Sequence, residues 1–293
     1  MSDLAPQTMA NGSMMKRVRM ITGLVGTGLI ATMLPLVAHA ETKIGAKLDP
    51  ALVASKIYER YTDQQTRSSQ QDLRILSRDP GGSEQVSRFE MRIQDERDNQ
   101  GKPKGRVRYR LRIDVSAPFD LRHTKYLIIG NDPGPNEEFI YAPSTRRVRR
   151  ADLSKTSFLG TDYTFGDFMV QDVNDADHKR LPDEVIDGQP VYVVESILKE
   201  GIKADYRKTV AYVEPEHFVP LRTRSWDDYD VEVKEMTAKA ASIRSFGDVW
   251  VSTESKVRDL QRNTESVLFV EKLNPKPKFN RSTFSPGRLA RGK

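Results

Sequence analysis

Asp162 and Asp167 are the carboxylates whose setting could do chemistry. Each follows a small residue, Thr161 or Gly166, and both sit among Phe158, Tyr163, Phe165 and Phe168. A close pair of carboxylates beside aromatic rings could divide general acid and general base work. The same residue type after a small residue also caps a helix or turn by accepting backbone N–H bonds. The other catalytic signatures are missing. His123, His178 and His217 are isolated from one another, with no H-E-x-x-H spacing, and read as surface or turn residues. There is no G-x-S-x-G elbow, P-loop or dinucleotide fingerprint. None of the 293 residues is a cysteine, which removes disulfides, thiolate nucleophiles and cysteine metal sites. The expectation is a protein that is not an enzyme and needs no cofactor.

The densest basic run is Arg146, Arg147, Arg149 and Arg150 around Val148. On a strand edge such charges discourage pairing with another sheet. As a docking element they would meet an anionic head group or an acidic partner, because the planar guanidinium donates in pairs.

These residues need elements to hold them, and the chain divides in two at residue 40. Lys16, Arg17 and Arg19 precede an uncharged, largely apolar run from Ile21 to Val37, then Ala38-His39-Ala40. A basic region, an apolar region and small residues at −3 and −1 predict a secretory signal cleaved after Ala40 and a mature chain outside the cytoplasm, the alternative being an uncleaved N-terminal membrane anchor. Translation could start at Met1, Met14 or Met15. Beyond the signal there are 44 Lys and Arg against 40 Asp and Glu, too mild an excess for a nucleic-acid binder. No later stretch is long and apolar enough to span a bilayer.

Asp49 and Pro50 suit a helix start, and a helix to about Tyr61 would turn Leu52, Val53, Ile57 and Tyr61 to the core. From Asp72 the apolar period becomes two. Val107, Tyr109, Leu111, Ile113 and Val115 alternate with Arg106, Arg108, Arg110, Arg112 and Asp114, the pattern of an antiparallel strand with one wet face. Similar runs continue to Val270 and amount to about 11 strands with turns at short intervals. That predicts a mainly antiparallel β fold, one large sheet strongly curved or nearly closed. Leu153 to Asp172 breaks the alternation and reads as a loop leading into a short helix. Residues 274–293 read as an extended, partly disordered basic tail.

The order of these features resembles the periplasmic outer-membrane lipoprotein-sorting family, relatives of the Lol-type (LolA/LolB-like) lipoprotein carriers. The matching pieces are Phe139-Ile140-Tyr141-Ala142-Pro143 with the arginine run behind it, the segment from Ser157 to Phe168, Gly188 to Glu195, and Val213 to Leu221. The resemblance implies a half-open β-barrel over residues 41–273, with a few helices across its mouth. It also implies a hydrophobic cavity for lipid or lipoprotein acyl chains, no catalysis, and association with export pumps of the resistance-nodulation-division (RND) type. On that frame Val107, Tyr109, Leu111 and Ile113 become cavity wall. Phe158, Leu159, Tyr163, Phe165 and Phe168 become a lid, with Gly160 and Gly166 as hinges. The same side chains could equally be ordinary core.

One acyl chain buried in a dry cavity could gain roughly 8–12 kcal/mol before binding costs. The first expectation is therefore a periplasmic carrier or chaperone. The alternative is an accessory module of an envelope transporter that binds no lipid and docks through Arg146 to Arg150. A hydrolase with an unrecognised carboxylate site ranks last.

Overall fold

The computed structural model describes residues 47–291 other than 80, 99, 100, 104, 133, 170 and 171. The expected signal peptide over 1–40 lies outside them. Among the described residues no helix is long and apolar enough to cross a membrane.

A helix, α1 (Ala54–Thr66), leads into six strands that pair in sequence order: β1 (Ser69–Arg78), β2 (Glu84–Asp95), β3 (Val107–Ala117), β4 (Lys125–Asn131), β5 (Glu137–Ala142) and β6 (Arg147–Arg150). A long connection follows. Strands β7 (Ala176–Ile186), β8 (Gln189–Leu198), β9 (Lys208–Val213), β10 (Pro220–Trp226) and β11 (Glu232–Ala238) continue the chain. A small hairpin, β12 (Ile243–Phe246) with β13 (Val249–Ser252), precedes β14 (Glu254–Asp259), β15 (Thr264–Asn274) and the short α2 (Pro286–Leu289). Thirteen strands form one antiparallel sheet in the order β6-β5-β4-β3-β2-β1-β15-β14-β11-β10-β9-β8-β7. The two halves join where β1 meets β15, Ile75 opposite Leu268. Strands β6 and β7 remain free edges, so the sheet is curved but not closed.

This corrects the expected barrel of about 11 strands. β7 carries no alternating pattern to read: it is an edge strand, mostly solvated, and bulges between Leu181 and Glu184 around Pro182. An edge needs no apolar stripe, and it tolerates proline. The run Val249–Val257 is divided between two strands. β13 pairs with β12 and β14 with β11, and the break falls at Thr253.

Alternation decides which face each side chain takes. On one face lie Leu73, Ile75, Phe89, Met91, Leu111, Ile113, Tyr126, Ile128 and Val257, all buried. Cross-strand pairing carries this face through Met236 and Thr223 to Ala211 and Val194. There α1 covers it with Ile57, Tyr58 and Tyr61. The helix starts later than expected. Asp49 and Pro50 form a preceding turn, in which the Asp49 carboxylate accepts the Ala51 N–H at 2.8 Å, and Val53 points to solvent at 58% exposure. His178 is structural here: its ring lies 4.1 Å from that of Tyr58 and bonds Ser196 and the Val173 carbonyl, both at 2.8 Å.

The opposite face is charged in its middle. Asp114 takes bonds from Arg92 (2.8 Å) and Arg112 (2.7 Å), and Glu96 from Arg110 (2.9 Å). At one end β12–β13 covers β8–β10, with Ile243 fully buried. At the other end the chain's own C-terminus covers β4 and β5. In place of a loose tail, residues 281–284 form a 3-10 turn and α2 follows. Phe284 (2% exposed) and Leu289 (0%) sit against Leu127, Ile129 and Phe139. Phe279 joins them, its ring 5.2 Å from that of Phe284, so a few apolar side chains anchor a segment whose composition reads as disordered.

Replacing Phe284 by Ala should therefore lower stability by about 3–5 kcal/mol. Urea unfolding followed by circular dichroism measures it, and an unchanged midpoint would contradict the docked C-terminus.

Candidate functional site

The segment between β6 and β7 is the part of the chain that the alternating pattern does not explain, and it lies on the apolar face. Its local fold is compact. The Thr161 N–H donates to the Phe158 carbonyl at 3.0 Å, and the Phe158 N–H to the Tyr163 carbonyl at 2.7 Å. Ser157 and Thr164 pair as an antiparallel bridge. The reversal needs positive φ at Leu159 (53°) and Gly160 (75°). Glycine adopts this region without strain, and leucine at a cost of roughly 1–2 kcal/mol. A single 3-10 turn, Phe165–Phe168, follows and is closed by a capping box between Thr164 and Asp167. The expected loop and short helix are present, with a tight hairpin in place of an irregular loop.

This unit places its aromatic rings in the sheet. Phe158 is fully buried at the centre, its centroid 4.8 Å from Phe89, 5.1 Å from Phe165 and 5.0 Å from Phe168. Phe165 reaches Tyr126 at 4.8 Å, and Phe168 lies 5.7 Å from Tyr163. Edge-to-face and tilted contacts at these separations are the favourable aromatic geometries.

The sequence-predicted wall and lid residues therefore come together in one cluster. Tyr109, Leu111 and Ile113 are buried with Phe158, Leu159, Tyr163 and Phe165, and Phe168 packs against them. Val107 is the exception. A bulge between Val107 and Tyr109 shifts the register from Asn131 to Gly130 and turns Val107 to the other face, where it packs with the C-terminal cluster. Gly160 has open space around it. Gly166 does not: a Cβ there would come within 2.4 Å of the Asp205 carboxylate, so glycine serves close packing.

Three carboxylates pin the unit to the sheet. Glu138 on β5 accepts the Leu153 N–H at 2.6 Å, and burial lifts its pKa above the usual carboxylate value, with the Leu153 bond opposing. Asp162, 4% exposed, accepts from Thr264 Oγ1 (2.5 Å), Ser266 Oγ (2.6 Å) and Arg262 (3.1 Å), while its own N–H donates to Ser266 Oγ at 3.1 Å. Asp167 pairs with Lys234 of β11 at 2.7 Å, both side chains under 8% exposed. It also accepts from Tyr206 Oη (2.9 Å) and the Thr164 N–H (2.7 Å). Burial and the nearby Asp167 charge push the Tyr206 phenol far above its usual value, so it stays a donor. Burial does the same for Tyr163, whose hydroxyl donates to the Ser255 carbonyl at 3.0 Å.

Asp162 and Asp167 thus occupy separate donor sets with no shared partner. Asp167 caps as expected, accepting the Thr164 N–H, whereas the Asp162 carboxylate takes its bonds from the side chains of Arg262, Thr264 and Ser266. Sequence reasoning missed Lys234, Tyr206, Thr264 and Ser266. One signal existed for Lys234: it shares the strand phase of Met236, so alternation put a lysine on the apolar side.

The arginine run lies where an edge-strand reading puts it. Arg147, Arg149 and Arg150 are exposed on β6, and Arg146 is exposed in the turn before it. Arg150 bonds Glu137 at 3.0 Å and lies over the Phe139 ring. Among the described residues Arg146, Arg147 and Arg149 have no ion pair.

A family model described as "Uncharacterized protein" matches residues 110–291. No curated protein matches the chain. Among solved structures, a DUF1329 family protein from Desulfovibrio piger ATCC 29098 superposes with a TM-score of 0.71 at 20% identity, over 80% of this chain and 97% of that one. A domain from Vibrio parahaemolyticus, described as outer membrane lipoprotein-sorting, gives 0.69 at 18% identity over 81% and 98%. A LolA superfamily protein from Nitrosomonas europaea gives 0.64 at 18% identity over 80% and 98%. The resemblance drawn from the sequence is borne out in the fold.

The pinning predicts a non-additive pair of substitutions. Asp167→Leu alone leaves the Lys234 ammonium buried and unpaired and should cost about 3–5 kcal/mol. Adding Lys234→Met should restore most of it in chemical denaturation, and simple additivity of the two losses would contradict the ion pair.

Proposed function

Since the chain belongs to the family whose model spans residues 110–291, and shares the LolA-like fold of lipoprotein-sorting proteins, we propose that it is a periplasmic carrier of acyl chains. In this reading the lipid or lipidated protein places its hydrocarbon on the apolar face of the sheet, where the 157–168 unit now sits. The observation that carries the proposal is the character of that unit. It is a separate aromatic plug on an apolar wall, tied down by polar bonds at a few points and not woven into the sheet as a strand.

The closed state needs no ligand because Phe158, Phe165 and Phe168 supply the apolar surface themselves. An entering chain replaces those rings. Each of its buried methylenes contributes about 0.8 kcal/mol, which offsets the loss of the rings' own burial. The carboxylate anchors hold the plug in place until that exchange. The unit moves as a body about its ends, and Tyr109, Leu111 and Ile113 become the wall that the chain touches. The expected export signal supports a periplasmic setting, and the arrangement calls for no cofactor and no catalytic step.

The packed state of the apolar face favours a second reading: an interaction module that binds no lipid. Its docking surface would be the unpaired Arg146, Arg147 and Arg149 on the free edge, facing an acidic partner in the envelope.

A reversible staple separates the two. The chain has no cysteine of its own, and the side chains of Asp162 and Ser266 already touch at 2.6 Å. The variant Asp162→Cys/Ser266→Cys should bind a fluorescent fatty acid when reduced and lose that binding when oxidised, since the plug can no longer leave. Equal binding in both states, or none in the native protein, sinks the carrier reading.

A further inference from the structure

A cavity opens on the charged face of the sheet. It is a cleft of about 1030 Å³ between β1–β4 and the C-terminal segment that Phe284 and Leu289 anchor. Eight Lys and Arg side chains line it against four Asp and Glu.

Those charges are arranged in two tiers. The floor is internally neutralised: Asp114 holds Arg92 and Arg112, and Arg92 also meets Glu90. Arg112 reaches across to the Thr283 carbonyl at 3.0 Å and so ties the floor to the covering segment. The rim is different. Arg88 on β2, Arg122 in the β3–β4 turn, and Lys278, Arg288 and Arg291 on the C-terminal segment are all exposed, with no ion pair among the described residues. Lys125 joins them. Its ammonium donates to the Arg291 carbonyl at 3.3 Å, lies 5.6 Å from the Tyr141 ring centroid and has no ion pair among the described residues. Burial holds its pKa below the usual lysine value; Asp114 opposes this, and the Arg112 and Arg92 charges add to it.

Six unpaired cations around one concavity repel one another unless an anion enters. They come from two sides, the sheet and the covering segment, so a bound anion would be gripped and not merely attracted. Guanidinium groups donate in planar pairs to carboxylate and phosphate alike, but several such forks offer more donors than the two oxygens of one carboxylate accept and suit the additional oxygens of a phosphoryl group. The volume also exceeds what a lone inorganic ion fills, leaving room for whatever carries the phosphate.

We propose that this cleft is a binding site for a phosphate-bearing group, held by Arg88, Arg122, Arg288 and Arg291 with Lys125 and Lys278 beside them. The site is independent of the acyl-chain face: it uses the other side of the same strands and stands whether or not the plug moves.

The test uses the whole protein and two probes. Inorganic pyrophosphate is titrated by calorimetry, and vesicles of phosphatidylglycerol are co-sedimented beside neutral phosphatidylcholine vesicles. The variant Arg88→Ser/Arg122→Ser/Arg288→Ser removes three exposed rim cations. The variant Lys179→Ser/Lys203→Ser/Lys239→Ser removes the same charge from exposed positions outside the cleft. Circular dichroism melting confirms that both are folded. The rim variant should lose at least about tenfold in affinity while the control changes less than about twofold. Binding should weaken as salt rises. Loss seen with both probes identifies a soluble phosphate ligand, and loss seen only with phosphatidylglycerol identifies a lipid headgroup; either supports the site. Equal losses in the two variants, or no binding of either probe to the native protein, overturns it.

Discussion

An open sheet with one apolar face has to hide that face from water, and the rest of this molecule follows from how it does so. Thirteen strands expose far more hydrocarbon than one helix can cover. α1 covers the β8–β9 end. The other end is covered by the connection between β6 and β7, folded as a hairpin and one 3-10 turn that insert aromatic rings. At about 25 cal/mol per Å² of apolar surface, that cover is a principal source of stability.

The cover is held by a different kind of force from the one that makes it favourable. Burial of Phe158 and Phe165 is non-directional and would tolerate several poses. The bonds of Asp162 and Asp167 are directional and select one. A buried ion pair such as Asp167–Lys234 adds little net stability over an apolar pair, but it penalises every arrangement that separates the two charges.

The two faces of the sheet divide the chemistry. β3 shows this in one strand: Leu111 and Ile113 go to the aromatic cluster, while Arg110 and Arg112 go to carboxylates on the other side. The C-terminal segment then turns the charged side into a bounded cleft. Apolar and charged side chains are thus separated by the thickness of one sheet, and β6 and β7 leave its two edges without further strands.

Local pattern determined a large part of this. Alternation in β3 specified an antiparallel strand with one wet face, because a pleated strand has a period of two whatever surrounds it. The turn at Glu214 to His217 is equally local. The Glu214 carboxylate folds back on the N–H groups of Glu216, His217 and Val219, a contact within five residues. The plug was visible as a break in period rich in aromatics, and Asp162 and Asp167 as carboxylates suited to hold it. What the sequence left open was everything set by partners distant along the chain. The bulge that turns Val107 away depends on β4, the anchors of Asp162 lie about a hundred residues downstream, and Phe284 gains its meaning from Leu127 and Phe139. Whether the apolar face is hollow or filled also belongs to the tertiary structure. A hydrophobic side chain looks the same in sequence whether it meets a ligand or a neighbouring ring, and only the packed fold says which.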